Sequence, residues 1–251
     1  MRATNRAVLV TGASRGIGAA TARAFADNGD RVAVHYGSSV SLAERTLRAL
    51  SGDGHVLAHA DLSEPTEIEE MVDRTASDMG GIDVLVNNAG IFTAHDIYET
   101  SYEQWQRAWS DTLTVNLVAA ANVTWCAVRH MGTDGGRIVN VASRGAFRGE
   151  PTQPAYGASK AGLVSLGQSL ARALGPNGIA VATVAPGWTD TDMAAESLAG
   201  PDGERRRNES PLGRVATPDE VAKAIVYLAS ADAEFATGSV LDFNGASHLR
   251  M

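Results

Sequence analysis

Residues 7–18 read Ala7-Val8-Leu9-Val10-Thr11-Gly12-Ala13-Ser14-Arg15-Gly16-Ile17-Gly18. Four consecutive apolar residues running into a turn are the pattern of a short strand buried on both faces; a strand wet on one side would alternate. The alanine-rich segment that follows, to Asn28 with Gly29 as its C-cap, reads as a helix. Strand, glycine-rich turn and helix put backbone N–H groups and a helix N-terminus where a pyrophosphate can be held. The Gly-x-x-x-Gly-x-Gly spacing differs from the common Gly-x-Gly-x-x-Gly fingerprint, yet its physical roles survive.

The same residues contain Gly12-Ala13-Ser14-Arg15-Gly16, a Gly-x-Ser-x-Gly in the strand-turn-helix setting of a hydrolase nucleophile elbow. That chemistry would need an acid and a histidine, nominally Asp61 or Asp83 with His95, His130 or His248. No such histidine stands in a recognisable catalytic loop, and Gly18 has no role in the scheme. The dinucleotide reading is the stronger.

Outward from this unit the pattern repeats. Strands are expected at Arg31–Tyr36, around His55–His59, at Asp83–Val86, Arg137–Val141, Ile179–Val184 and Ser239–Phe243. Helices are expected from about Ser39 to Leu50, after Pro65, from about Ser101 to Met131, from Tyr156 to Leu174 and from Thr217. Strands alternate with helices and no linker divides them. The economical architecture is α/β: a single Rossmann-type, doubly wound, parallel seven-stranded sheet over residues 1–251, with helices on both faces. The polar stretch 188–214 has little strand character and is read as a flap over the site.

At 44% hydrophobic and 20% charged residues the composition is that of a globular protein, and the formal charge of −8 argues against nucleic acid as a partner. One cysteine, Cys126, excludes an internal disulfide. No apolar run reaches membrane-spanning length, and the first strand begins too early for a signal peptide. A cytoplasmic protein without membrane attachment is expected. His55 and His59 lie on a strand without a carboxylate cluster, so no metal site is expected.

Chemistry concentrates in Ser143 to Lys160. Tyr156-x-x-x-Lys160 opens a helix, and residues four apart share a face, so the phenol and the ammonium point into one space. A nearby cation favours a phenolate and would bring the tyrosine toward working pH as a general acid or base. Ser143, at the end of a strand, could offer its hydroxyl to the same substrate oxygen. The second strand ends His35-Tyr36-Gly37-Ser38 without the carboxylate that selects NAD through the ribose 2′-hydroxyl. A 2′-phosphate would meet Ser38 and the cation of Arg15, which favours NADP(H) over NAD(H).

In order and spacing, Thr11-Gly12-x-x-x-Gly16-Ile17-Gly18, Asp61-Leu62, Asn87-Asn88-Ala89-Gly90, Asn116, Ser143, Tyr156-x-x-x-Lys160, Pro186-Gly187 and Thr191-Asp192-Met193 resemble the classical short-chain dehydrogenases/reductases across essentially the whole chain. The nearest likeness is to 3-oxoacyl-(acyl-carrier-protein) reductase-like members. The resemblance implies hydride transfer between a nicotinamide and a carbonyl or secondary alcohol. Tyr156 would be the acid/base, Ser143 would bond the substrate oxygen, Lys160 would hold the ribose, and Asn116 would anchor a relaying water. It implies a cofactor cradle of Gly12, Ser14, Arg15, Gly16, Ile17, Gly18, Tyr36 and Ser38, with Asp61 and Leu62 at the adenine. Asn88, Ala89, Gly90, Pro186, Gly187, Thr189 and Thr191 would meet the nicotinamide end. It also implies a homotetramer and leaves open an acyl-carrier-protein substrate docking on Arg129 and Arg172, or a polar ketone served by Arg144 and Arg148. The competing readings are an NAD-dependent dehydrogenase and a non-catalytic dinucleotide sensor. One departure is Ala246, where relatives often carry a second glycine after Asn244-Gly245.

Overall fold

The computed structural model describes residues 5–133 and 135–250. Its seven strands are β1 (Ala7–Val10), β2 (Arg31–Tyr36), β3 (Val56–His59), β4 (Val84–Asn87), β5 (Gly136–Val141), β6 (Ile179–Pro186) and β7 (Val240–Phe243). All pair in parallel in the order β3-β2-β1-β4-β5-β6-β7. The order in which strands are added to the sheet reverses between β1 and β4, and the carboxyl ends of these two strands open the crevice where an α/β sheet takes its ligand.

The connecting helices are α1 (Gly16–Asp27), α2 (Val40–Arg48), α3 (Pro65–Met79), α4 (Tyr102–Leu113), α5 (Ala119–Ala127), α6 (Gly145–Arg148), α7 (Pro154–Leu174), α8 (Asp192–Ala199), α9 (Gly203–Asn208) and α10 (Pro218–Leu228). Side chains alternate across each strand, so β1 sends Leu9 into one apolar layer and Val8 and Val10 into the other. The first layer contains Ile68, Met71 and Val72 of α3 and Val123 of α5; the second contains Phe25 of α1 and Val221 and Ile225 of α10.

Two of the expected helices open on capping boxes, Ser101 with Gln104 on α4 and Thr217 with Glu220 on α10. The expected helix from Ser101 to Met131 is instead interrupted. Thr114–Val118 forms a π-turn between α4 and α5, a widening found often at functional sites. The 188–214 segment, read as polar and irregular, contains α8 and α9, and a bridge between Thr189 and Ala216 closes its base.

Candidate active site

β1 delivers the glycine turn. Gly12 takes φ +63°, and a Cβ there would stand 2.9 Å from the Ala89 Cα, so only glycine permits both the backbone angle and the approach of the β4 loop. That loop is pinned to the turn from both sides. The Asn88 and Ala89 N–H groups donate to Thr11 Oγ1 at 2.9 and 3.1 Å, and Asn88 Nδ2 donates to the Thr11 and Gly12 carbonyls at 2.9 and 3.2 Å.

His35 supports the turn from below. The Gly12 N–H donates to its Nδ1 at 2.9 Å, and Nε2 lies 3.2 Å from the Ala60 carbonyl, which it reaches as a donor in the neutral tautomer. Burial holds the imidazole down at about 4, against an ordinary 6.5. Between those values the unfolded chain binds a proton that the folded chain refuses. The stability contributed by neutral His35 is therefore complete above pH 6.5 and is lost as pH falls toward 4. The span corresponds to roughly 3 kcal/mol. Urea midpoints at pH 7.5 and 5 are expected to differ more for this protein than for His35→Gln.

The cofactor test is met by the chain itself. The α1 N-terminus has no side-chain cap and no acidic residue in its first turn, so its N–H groups are left for an anion. It opens on a cavity of about 690 Å³, lined by Gly12, Ser14, Arg15, Gly16, Ile17, Gly18, Ser38, Asp61, Leu62, Asn88, Ala89, Gly90, Ser143, Tyr156, Lys160, Pro186, Gly187, Thr189 and Thr191. Thus most of the expected residues converge. Tyr36 does not line this cavity. Its ring turns to His59, 5.1 Å away between centroids, and packs against the apolar layer.

At the far end of the cavity, β5 presents Ser143 and α7 presents Tyr156 and Lys160. Lys160 is buried and donates to the Val141 carbonyl at 2.8 Å, with its Nζ 5.7 Å from the Tyr156 ring centre. Phe92 meets the same ring edge-on at 4.8 Å. Burial pushes the Tyr156 phenol up to about 12, a hydrogen bond from Ser143 pulls it back in part, and Glu150 adds to the rise. Burial also brings Lys160 down to about 8. The Lys160 cation was expected to depress the tyrosine; in this pocket loss of solvation raises it instead. A phenol so placed keeps its proton and is fitted to donate it.

Asn116 lies in the π-turn, outside the cavity lining. Its Oδ1 accepts from the Ile91 N–H at 2.8 Å, while Nδ2 donates to the Ile91 carbonyl at 3.0 Å and to Ser159 Oγ at 3.1 Å. The side chain is spent fixing the loop after β4 against α7. His95 does similar work: its Nδ1 donates to the Thr93 carbonyl at 2.8 Å and its Nε2 accepts from the Ala155 N–H at 3.1 Å, holding the first turn of α7. No hydrogen bond among the described residues joins His95, His130 or His248 to Ser14. His130 is instead 2.6 Å from Asp73, so the elbow reading has no geometry behind it. Among the described residues no cluster of three or more His, Cys, Asp or Glu could hold a metal ion, and no helix is long and apolar enough to cross a membrane.

The enoyl-(acyl carrier protein) reductase family matches residues 12–248. The chain is 41% identical over 246 residues to an uncharacterized short-chain type dehydrogenase/reductase of Sinorhizobium fredii, covering 96% of this chain and 43% of that longer protein. It is 36% identical to the 3-oxoacyl-(acyl-carrier-protein) reductase of Chlamydia trachomatis over 96% of both chains. The crystal structure of a Burkholderia cenocepacia short chain dehydrogenase in complex with NADP superimposes with a TM-score of 0.88 at 35% identity, covering 98% of this chain and 99% of that one. The chain belongs to the short-chain dehydrogenase/reductase family. Membership makes it an oxidoreductase acting on carbonyl or alcohol groups.

For a short-chain dehydrogenase/reductase, several wall residues here carry no motif signal. Phe92, His95, Glu150 and Trp188 reach the site or its supports only through the fold. Glu150, whose burial raises its pKa, also crowds Gly145, where a Cβ would stand 2.5 Å from Oε1.

Proposed function

We propose that this protein is an NADP(H)-dependent carbonyl reductase, reversible as a secondary-alcohol dehydrogenase. The observation that carries the reading is the convergence of Ser143, Tyr156 and Lys160 on one cavity with the open N-terminus of α1. When bound, NADP(H) supplies or accepts the hydride. Gly16, Ile17 and Gly18 at the α1 N-terminus would hold its pyrophosphate, and Asp61 and Leu62 would border the adenine. Lys160 would donate to the ribose. Ser143 donates to the carbonyl oxygen as negative charge develops there, and Tyr156 hands that oxygen its proton. Asn116 and His95 keep α7 and the β4 loop in register for both.

The preference for a 2′-phosphate rests on Arg15 and Ser38, with no carboxylate on the β2 end. The Arg15 side chain is 62% exposed and 3.8 Å from Asp192, itself 70% exposed. A surface pair of that kind holds the guanidinium weakly, leaving it free to meet a phosphate. Absorbance at the nicotinamide band over a ketone panel tests the reading. NADPH is expected to be oxidised faster than NADH, and Arg15→Ala to raise the KM for NADPH about tenfold while leaving that for NADH within about twofold. Preference for NADH in the parent protein would overturn it.

The segment carrying α8 and α9 acts as the substrate flap, with Met193 and Ala194 on the cavity wall. Assembly follows the family expectation of a homotetramer, and exposed Val118 and Trp125 flank the face of α5 that would take part. The buried Cys126 thiol, pushed up by loss of solvation, suits a reducing cytoplasmic setting without redox duty. The placement of Arg144 beside Ser143 favours a free polar ketone over a carrier-bound acyl chain.

A further inference from the structure

Arg144 directly follows Ser143, and its side chain is 4% exposed. Its Nη2 donates to Glu209, just beyond α9, while Nη1 is closed off from solvent without a hydrogen-bond partner. Trp188 lies alongside, with its ring centre 5.9 Å from the guanidinium carbon, and its Nε1–H is likewise buried and unpartnered. Both residues line the Tyr156 cavity and also a second cavity of about 400 Å³, which extends between the flap and the chain after β7. Leaving a buried donor unpaired costs about 1–3 kcal/mol, and native structures rarely tolerate it without a reason. Two such donors, on neighbouring side chains that line both cavities, suit an acceptor that arrives with a ligand.

The surroundings say what acceptor. Glu209 takes Arg148 at 3.2 Å as well as Arg144 Nη2, both through Oε2, and Nη1 is left unpaired. Arg206 leans on Trp188 with its guanidinium carbon 5.5 Å from the ring centre, and it lines the second cavity together with Arg214. Glu220 occupies Arg214. Arg144 and Arg148 face two carboxylates, Glu209 and Glu150; burial raises the Glu150 pKa, and the two arginines act against that rise. Leu212 and Phe243 provide apolar wall for a hydrocarbon segment. Ala246, on the same wall, is held at φ +59°, strain of a kind that gathers at ligand clamps.

We propose that Arg144 and Trp188 form a carboxylate subsite, so that the substrate is an oxo-acid or hydroxy-acid anion whose carboxylate accepts from Arg144 Nη1 and Trp188 Nε1 while its carbonyl or carbinol lies at Tyr156. This assignment rests on the reductase reading. A neutral thioester would give these donors only a weak acceptor.

The test uses straight-chain 4-, 5- and 6-oxo acids and their methyl esters on the NADP-loaded protein. Affinity is read by titration calorimetry and turnover by NADPH oxidation. At least one acid is expected to exceed its ester about tenfold in both Kd and kcat/KM, as a charge-assisted contact implies. Trp188→Phe keeps the ring and the Arg144–Glu209 pair. It should weaken the acid at least about threefold more than the ester. Arg144→Leu should erase the distinction, and because it strands Glu209, Trp188→Phe stands as the folded check. Equal affinity of acid and ester throughout, including failure of both to bind, overturns the subsite, as does an equal loss on both in Trp188→Phe. Turnover of esters without preference for acids sinks the subsite and leaves the reductase; acid-selective binding without NADPH oxidation does the reverse.

Discussion

Tyr156→Phe is expected to lower kcat for ketone reduction by roughly 10²–10⁴-fold, the usual worth of a placed general acid, or about 3–5 kcal/mol of transition-state stabilisation. The phenyl ring would still meet Phe92 edge-on, and Lys160 would still donate to the Val141 carbonyl. The KM for NADPH should therefore stay within about twofold, and the thermal midpoint should not fall. The pH profile separates the two partners. With the phenol raised to about 12 it is protonated throughout the working range and produces no inflection. Lys160, at about 8, gives up its charge above that value. Reduction by the parent protein is then level below pH 8 and declines above it. Steady-state rates from pH 6 to 10 decide the matter, and a Phe variant as active as the parent would remove Tyr156 from the reaction.

The fold was legible wherever one local signal had one structural solution. Ala7–Val10 read as a doubly buried strand because a glycine turn follows at once, and a helix was expected from about Ser101; both stand. That Tyr156 and Lys160 face one cavity was legible for the same reason, since they lie one helical turn apart. The π-turn at Thr114–Val118 was not, because no Pro or Gly marks it; its cause is tertiary, the hydrogen bonds Asn116 makes to Ile91 and Ser159. The sign of the Tyr156 shift was also hidden. Spacing reveals the nearby cation, whereas burial of both groups depends on how Phe92 and β5 close around them. The direction of the Tyr36 ring was hidden by a related gap: the family resemblance pointed to the end of β2, but not to which way the ring turns. Arg144, Trp188 and Glu209 are far apart in the chain, and only the folding of the 188–214 segment back beside Arg144 joins them.

Gly18→Ala should be the most damaging single methyl in the cofactor half. A Cβ at Gly18 would stand 2.2 Å from the Gly12 carbonyl oxygen, 2.6 Å from Asn88 Nδ2 and 2.9 Å from the Ala13 Cα. Two of these three are backbone atoms of the glycine turn, which Asn88 and Thr11 clamp and His35 supports, so no flexible side chain can yield. Relief requires α1 to move away from the turn. That movement would part α1 from α10, pulling Phe25 out of the layer it shares with Val221 and Ile225, and would carry the N–H groups at residues 16–18 off the place where a pyrophosphate would lie. Overpacking on this scale costs about 3 kcal/mol. NADPH affinity should fall at least tenfold, since each 1.4 kcal/mol lost at the helix terminus is a factor of ten. Urea unfolding and fluorescence titration with NADPH measure the two effects. Gly132→Ala is the control, because a Cβ there meets nothing within 4 Å, and it should match the parent in both. A Gly18→Ala protein that binds NADPH as the parent does would show that the close approach of α1 to the turn is not what holds the dinucleotide.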